Sequence, residues 1–194
     1  MEDQPEHPVL AALRGRRSIY RFRPEPVPRE FLERILEAGT WAPNHRLTEP
    51  WRFTVVGPEL KERLGPYFAR RGLRKLPPDA SEERRAAALE AGLRKWGSKP
   101  SVVIVTCLVE GDALRREEDY AATACAIQNM QLAAWALGVG AQWSTGGIIG
   151  DREALALAGI PEEERVVGIL YLGFPAEEGE SRRRPVEAVT RWRG

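Results

Sequence analysis

With 194 residues, 43% of them hydrophobic and 29% charged, the chain is long enough for one domain with a real core, and a disordered or low-complexity protein is excluded. Lys and Arg total 29 against 28 Asp and Glu, so the net charge is +1 and a general nucleic-acid-binding surface is not expected. Two cysteines are too few for a disulfide framework or a zinc site. Cys107, in an apolar run, and Cys125, in an alanine-rich one, read as buried thiols of a reducing, cytoplasmic compartment.

Residues 1–8 are acidic and carry two prolines, unlike a signal peptide. A first helix is expected over 8–16, ending near Gly15. Pro24, Pro26 and Pro28 then force Ile19–Pro28 to be extended. Pro28 suits a helix start. Phe31, Leu32, Ile35 and Leu36 fall on one face after it, and Gly39 is a stop. A loop with Pro43 and Pro50 leads to a strand at Trp51–Val56. Helices follow at 58–71 and about 81–96, broken by Pro77–Pro78. This arginine-rich stretch has the weakest core signal, and 65–98 is a candidate lid. Val102–Val109 is a continuous apolar run, the mark of a buried strand.

A long helix is expected over 117–137, apolar nearly all round and so packed on several sides. Ala121–Ala141 carries no formal charge, but Gln128, Asn129 and Gln131 sit mid-stretch, so it reads as a buried helix and no membrane span is expected. Gly138 and Gly140 end it. A short strand Ala141–Ser144, a Gly146–Gly147 turn, a helix Asp151–Ala158 and a buried strand Val166–Leu172 come next. From Ala176 the tail is polar until Val186–Trp192. The elements mix α and β without the strict alternation of a Rossmann domain.

Four segments hold the groups that carry chemistry. Arg16-Arg17-Ser18 offers paired guanidinium donors and a hydroxyl, a phosphate grip, although positive charge at a helix C-terminus is also simply stabilising. Trp41-Ala42-Pro43-Asn44-His45, followed by Glu49-Pro50-Trp51-Arg52-Phe53, is a proline-fixed loop whose aromatics either flank a flat ring or enter the core. Gln142-Trp143-Ser144-Thr145-Gly146-Gly147 lets backbone approach a ligand, or is an ordinary turn; it has no GxGxxG pattern. Arg182-Arg183-Arg184-Pro185 taken alone is a solvated tail.

In their order and spacing these four segments resemble the nitroreductase family of flavoproteins. The likeness covers about residues 8–192 and is nearest the small single-domain branch with the Ala-Pro-x-His loop. It implies an α+β fold over 1–194, a central, mostly antiparallel sheet flanked by helices, and an intertwined homodimer with two FMN sites at the interface. It implies that Arg16, Arg17 and Ser18 contact the FMN phosphate and ribityl chain, joined by Arg183, with Arg182 and Arg184 as neighbours. Trp41 and His45 would reach flavin across the interface, and Trp143, Ser144 and Thr145 would lie along its ring. Ala133–Gly138 falls where a nicotinamide-dinucleotide site is suggested.

Two positions depart from the pattern. Glu49 stands where relatives often have Gln, and an acid pointing inward would disfavour an anionic reduced flavin. Trp41 stands where some relatives have Arg. The implied activity is FMN-dependent NAD(P)H oxidoreduction: NADH or NADPH gives hydride to the flavin, then a nitroaromatic or quinone takes its place. No acid–base dyad is needed, and neither histidine, His7 or His45, has a triad-like partner in the sequence. Dehalogenation or flavin breakdown in the same fold, or flavin storage without turnover, are the alternatives.

Overall fold

The computed structural model describes residues 6–194; residues 1–5, most of the acidic start, lie outside it. Four strands form one sheet in the order β1-β2-β4-β3: β1 Trp51–Val55, β2 Ser101–Leu108, β3 Gly140–Ser144 and β4 Glu164–Gly173. Every adjacent pair is antiparallel. The helices are α1 Pro8–Gly15, α2 Arg29–Thr40, α3 Pro58–Leu73, α4 Glu82–Gly97, α5 Ala113–Ala136 and α6 Arg152–Leu157. The α+β expectation therefore holds. No helix among the described residues is long and apolar enough to cross a membrane.

Period-2 alternation divides the core. Val103, Val105 and Cys107 of β2 face one side, with Ile35 of α2 and Ile127, Met130 and Ala134 of α5. Val102 and Ile104 face the other, with Leu64 of α3, Trp96 of α4 and Leu155 of α6. Because both faces are covered, β2 reads as a nearly apolar run from Val102, interrupted by a buried Thr106 whose hydroxyl donates to the Glu164 carboxylate. Val105 pairs with Gly168 and Thr106 with Val166, so Val167 is an extra residue that bulges β4 beside Gly168.

Side-chain caps set the helix starts. Asp112 Oδ1 accepts from Arg115 N at 2.9 Å, so α5 begins at Ala113, one turn before the position expected from apolar pattern alone. Its first turns are charged and carry little hydrophobic signal. In the chain by itself α5 is not covered all round: Ala121, Cys125 and Trp135 are exposed along one face. Cys125 is therefore not the buried thiol its alanine-rich context suggested, whereas Cys107 is buried. An alanine-rich helix gives no sequence signal for which of its faces is covered.

The α3–α4 hairpin owes its close packing to two glycines. A Cβ at Gly92 would lie 2.6 Å from Ala69 Cα, and one at Gly72 would lie 2.9 Å from the Ala88 carbonyl oxygen. Phe68 stacks on Trp96 with centroids 3.8 Å apart, and Trp96 Nε1 donates to the Lys61 carbonyl at 2.7 Å. The arginine-rich stretch is thus anchored to the sheet through the cluster that Trp96 and Leu64 share with Val102 and Ile104.

Candidate active site

The two arginine clusters, remote in sequence, are drawn together by a strap of main chain along the β3 edge of the sheet. After α1, Ser18 bridges Ala141 in parallel, and Ile19 N donates to the Ala141 carbonyl at 3.1 Å. Gly140 permits this, since a Cβ there would meet Ile19 at 2.9 Å. Beyond β4 the tail turns back along the same segment. Arg23 N donates to the Phe174 carbonyl at 2.8 Å and Ala176 N to the Arg21 carbonyl at 3.1 Å. Glu177 completes the fastening: its Oε1 accepts from Tyr20 N at 2.8 Å and Arg21 N at 3.1 Å, and its Oε2 from Arg21 Nε at 2.6 Å. These three bonds hold the Glu177 carboxyl below the usual carboxylate range.

The result is a cavity of about 510 Å³ whose walls include Arg16, Arg17, Ser18, Ser181, Arg182 and Arg183. Glu177, Glu178 and Glu180 line it too. Gly179 passes so near Arg17 that a Cβ would sit 2.4 Å from the arginine's own. Arg16 Nε is buried without a hydrogen-bond partner. Burial, then Arg183, then Arg17 push the Arg16 guanidinium pKa down. A buried donor among like charges is costly unless an anion meets it. A phosphate dianion, with many acceptor sites and opposite charge, suits this donor set.

Alternation along β3 separates the residues expected beside a ring. Trp143 faces the α2–α5 side, where its indole covers Gly168; a Cβ at Gly168 would fall 2.0 Å from Trp143 Nε1. That Nε1 is also buried without a partner. Ser144 lies on the opposite face, in a cavity of about 410 Å³ roofed by α3 and α4, and Thr145 is exposed. Lys99 belongs to this second cavity. It is only 4% exposed, and its Nζ donates to the Tyr20 carbonyl at 2.9 Å and to Gln142 Oε1 at 3.2 Å. Burial and neighbouring Lys95 lower its pKa. Tyr20 lines the arginine cavity, so Lys99 bonds the shared wall of the two spaces.

Trp41 and His45 do not meet the arginine cavity within one chain. Trp41 is 78% exposed. His45 lines a third cavity, of about 390 Å³, beside the start of α5, and its Nδ1 lies 2.8 Å from Glu118 Oε2. This partner was hidden from sequence reasoning because it lies 73 positions away. The loop itself is strained: Arg46, Leu47 and Glu49 have φ of 55°, 52° and 43°. Asn44 Oδ1, accepting from Glu49 N at 3.0 Å, and Thr48 Oγ1, donating to Asp119 Oδ1 at 2.6 Å, hold it. The Glu49 side chain is exposed. Glu177 and Lys99 were missed as well. One sits in a polar tail and the other just beyond a charged helix, so only the fold reveals them.

The sequence model of the Nitroreductase family matches residues 13–174. The chain belongs to this family. A Bacillus subtilis protein with the provisional name NAD(P)H nitroreductase YfhC is 38% identical over 92% of this chain and 91% of its own length. Among solved structures, a nitroreductase-like family protein from Bacillus cereus superposes with a TM-score of 0.82 at 28% identity, covering 97% of each chain. A protein of Desulfovibrio desulfuricans, provisionally a nitroreductase and solved in complex with FMN, has a TM-score of 0.76 at 28% identity, covering 98% of this chain and 99% of that one.

Proposed function

We propose that this nitroreductase-family chain is an FMN-dependent NAD(P)H oxidoreductase that reduces electron-poor acceptors, nitroaromatics or quinones, and works in the cytoplasm as a homodimer. The observation that carries the reading is the convergence of Arg16, Arg17, Ser18 and Arg183 on one cavity, with Arg16 Nε buried and unpartnered. These residues fit the FMN phosphate. Bound FMN supplies the hydride chemistry between the nicotinamide and the acceptor. The protein supplies position and charge. Arg16 and Arg183 neutralise the phosphate, and Ser18, pinned by its bridge to Ala141, adds a neutral donor. Gly146 and Gly147 let the turn after β3 run close under α3, since a Cβ there would lie 2.0 Å from Arg71 and 2.5 Å from Phe68, respectively. Trp143 keeps the opposite face of the strand closed.

Trp41 and His45 belong, on this reading, to the site of a second protomer. Their exposure, the strain of their loop and the open face of α5 support that assignment. The test is the visible absorbance spectrum of the purified protein before and after denaturation. Flavin bands that shift on release, together with NADH or NADPH oxidation driven by an added quinone, are the expected result. A colourless protein that also fails to bind added FMN would overturn the reading. Bound FMN without any turnover would reduce it to flavin carriage.

A further inference from the structure

The cavity under the α3–α4 hairpin differs in charge from the rest of the molecule. The whole chain has a net charge of +1, yet Arg71, Lys75, Lys95 and Lys99 all line this one space. No Asp or Glu lines it among the described residues. The chain has lysine only at 61, 75, 95 and 99, so three of its few lysines gather here, while apart from Lys61 its other Lys/Arg cations are arginine. A flexible ammonium serves as a point charge for varied anions, without the fixed fork of a guanidinium.

The same space has aromatic walls. Phe68 and Trp96 stack with an interplanar angle of 11°, and Tyr171 meets Trp96 edge-on at 6.4 Å. Lys99 Nζ lies 4.9 Å from the centroid of Phe22 and 5.1 Å from that of Tyr171. Two of its three donors are used, by Tyr20 and Gln142, and one remains. Buried Lys99 has no carboxylate within ion-pair distance among the described residues. A buried cation in this position is stabilised by an incoming anion. Ser144, at the strand end assigned to the flavin, opens into the same cavity.

We infer that this cavity receives the anionic group of a planar aromatic acceptor, so that the enzyme favours negatively charged aromatic substrates over neutral ones of the same shape. The inference deepens the reductase reading and rests on it for turnover, but binding tests it separately. Aromatic planarity is met by the Phe68–Trp96 wall, and the negative substituent by Lys99 with Lys75, Lys95 and Arg71 at the mouth. These three mouth residues are exposed, so their attraction is screened by salt, whereas that of Lys99 is not.

The experiment compares 4-nitrobenzoate with 4-nitrobenzamide on the FMN-loaded protein, wild type and a Lys75→Gln/Lys95→Gln variant. In parallel, benzoate and benzamide, which cannot be reduced, are titrated against tryptophan fluorescence, to which Trp96 in the wall contributes. We expect kcat/KM to favour the nitrobenzoate by about fivefold or more, and benzoate to bind tighter than benzamide by a similar factor. Both ratios should fall toward unity in the variant and in high salt. Equal constants for the charged and neutral members in wild type would overturn the inference while leaving the reductase reading intact. So would a variant that raises KM for NADPH relative to NADH without moving the acceptor ratio, since the lysines would then serve the donor's phosphate. Preferential benzoate binding with no reduction of either nitro compound would sustain the anion site and sink the reductase reading instead.

Discussion

Arg16 is held in a position that makes sense only with a partner. Its Nε is buried and unbonded, and Arg17 and Arg183 stand close enough to disfavour its charge. Arg16→Ala should therefore leave the FMN-free fold as stable as before, or slightly more so. The same change should weaken FMN binding by about 2 kcal/mol, the worth of hydrogen bonds to a charged group. Quenching of free FMN fluorescence measures the second effect and urea unfolding the first. A loss of apo stability with FMN affinity unchanged would make Arg16 a structural residue. Glu177 sets the opposite case, an acid inside a cavity proposed for an anion. Charge alone predicts that Glu177→Gln tightens FMN binding. Position predicts that it weakens binding, because the carboxylate ties the tail that carries Arg183 to Tyr20 and Arg21. We expect position to win, read as a higher Kd for FMN. Since the folded pKa of Glu177 is depressed, its fastening is complete above the ordinary carboxylate range, about 4.3, and is lost as pH falls through the lower folded value. The acid side of the wild-type stability profile should thus carry a limb that the Gln variant lacks. Arg16 and Arg17 stand out in sequence as a candidate phosphate grip, whereas the Arg182–Arg184 run taken alone reads as a solvated tail, and only the fold brings Arg183 to the same cavity. Glu177 does not stand out, because it acts through backbone donors 156 and 157 positions away.

At the scale of elements, the α3–α4 hairpin depends on how near its two helices can come. Gly92→Ala would gain about 1 kcal/mol of helix propensity. The new methyl, however, would meet backbone of the facing helix at 2.6 Å, and backbone cannot rotate away. Overpacking of this kind costs about 1–3 kcal/mol, so the net effect is destabilising, and a lowered urea midpoint with an unchanged m-value would report it. Strands and helices were placed from sequence to within a few residues, since periodicity and prolines are local signals. What periodicity does not give is how an alternating strand will divide a motif. Trp143 and Ser144 are neighbours in the chain and were expected along one ring. β3 sends them to opposite faces of the sheet, and the indole lies over Gly168, where β4 bulges at Val167. The bulge is invisible in a run of valines and leucines.

For the whole molecule, the sheet and its two helical layers follow from hydrophobic pattern, but assembly does not. Ala121 and Cys125 leave part of one face of α5 open, beside a Trp135 that packs on Gly15 yet stays 40% exposed, and small residues such as alanine give no sign of whether water or another helix covers them. If two copies meet along this face, Cys125→Arg should shift the protein from dimer to monomer in sedimentation and release FMN, because the Trp41–His45 loop would lose the neighbour it completes. A monomeric wild type would reject that arrangement.

The proposed anion grip draws on residues near the two ends of the described chain, while the sheet is built between them. Nothing after Gly173 contributes to a strand. An exopeptidase that trimmed past Arg183 would therefore leave every strand paired and the circular dichroism nearly native, yet the preparation would bleach. Yellow colour and foldedness should come apart, and the ratio of flavin to protein would then report intact tails before it reported intact folds.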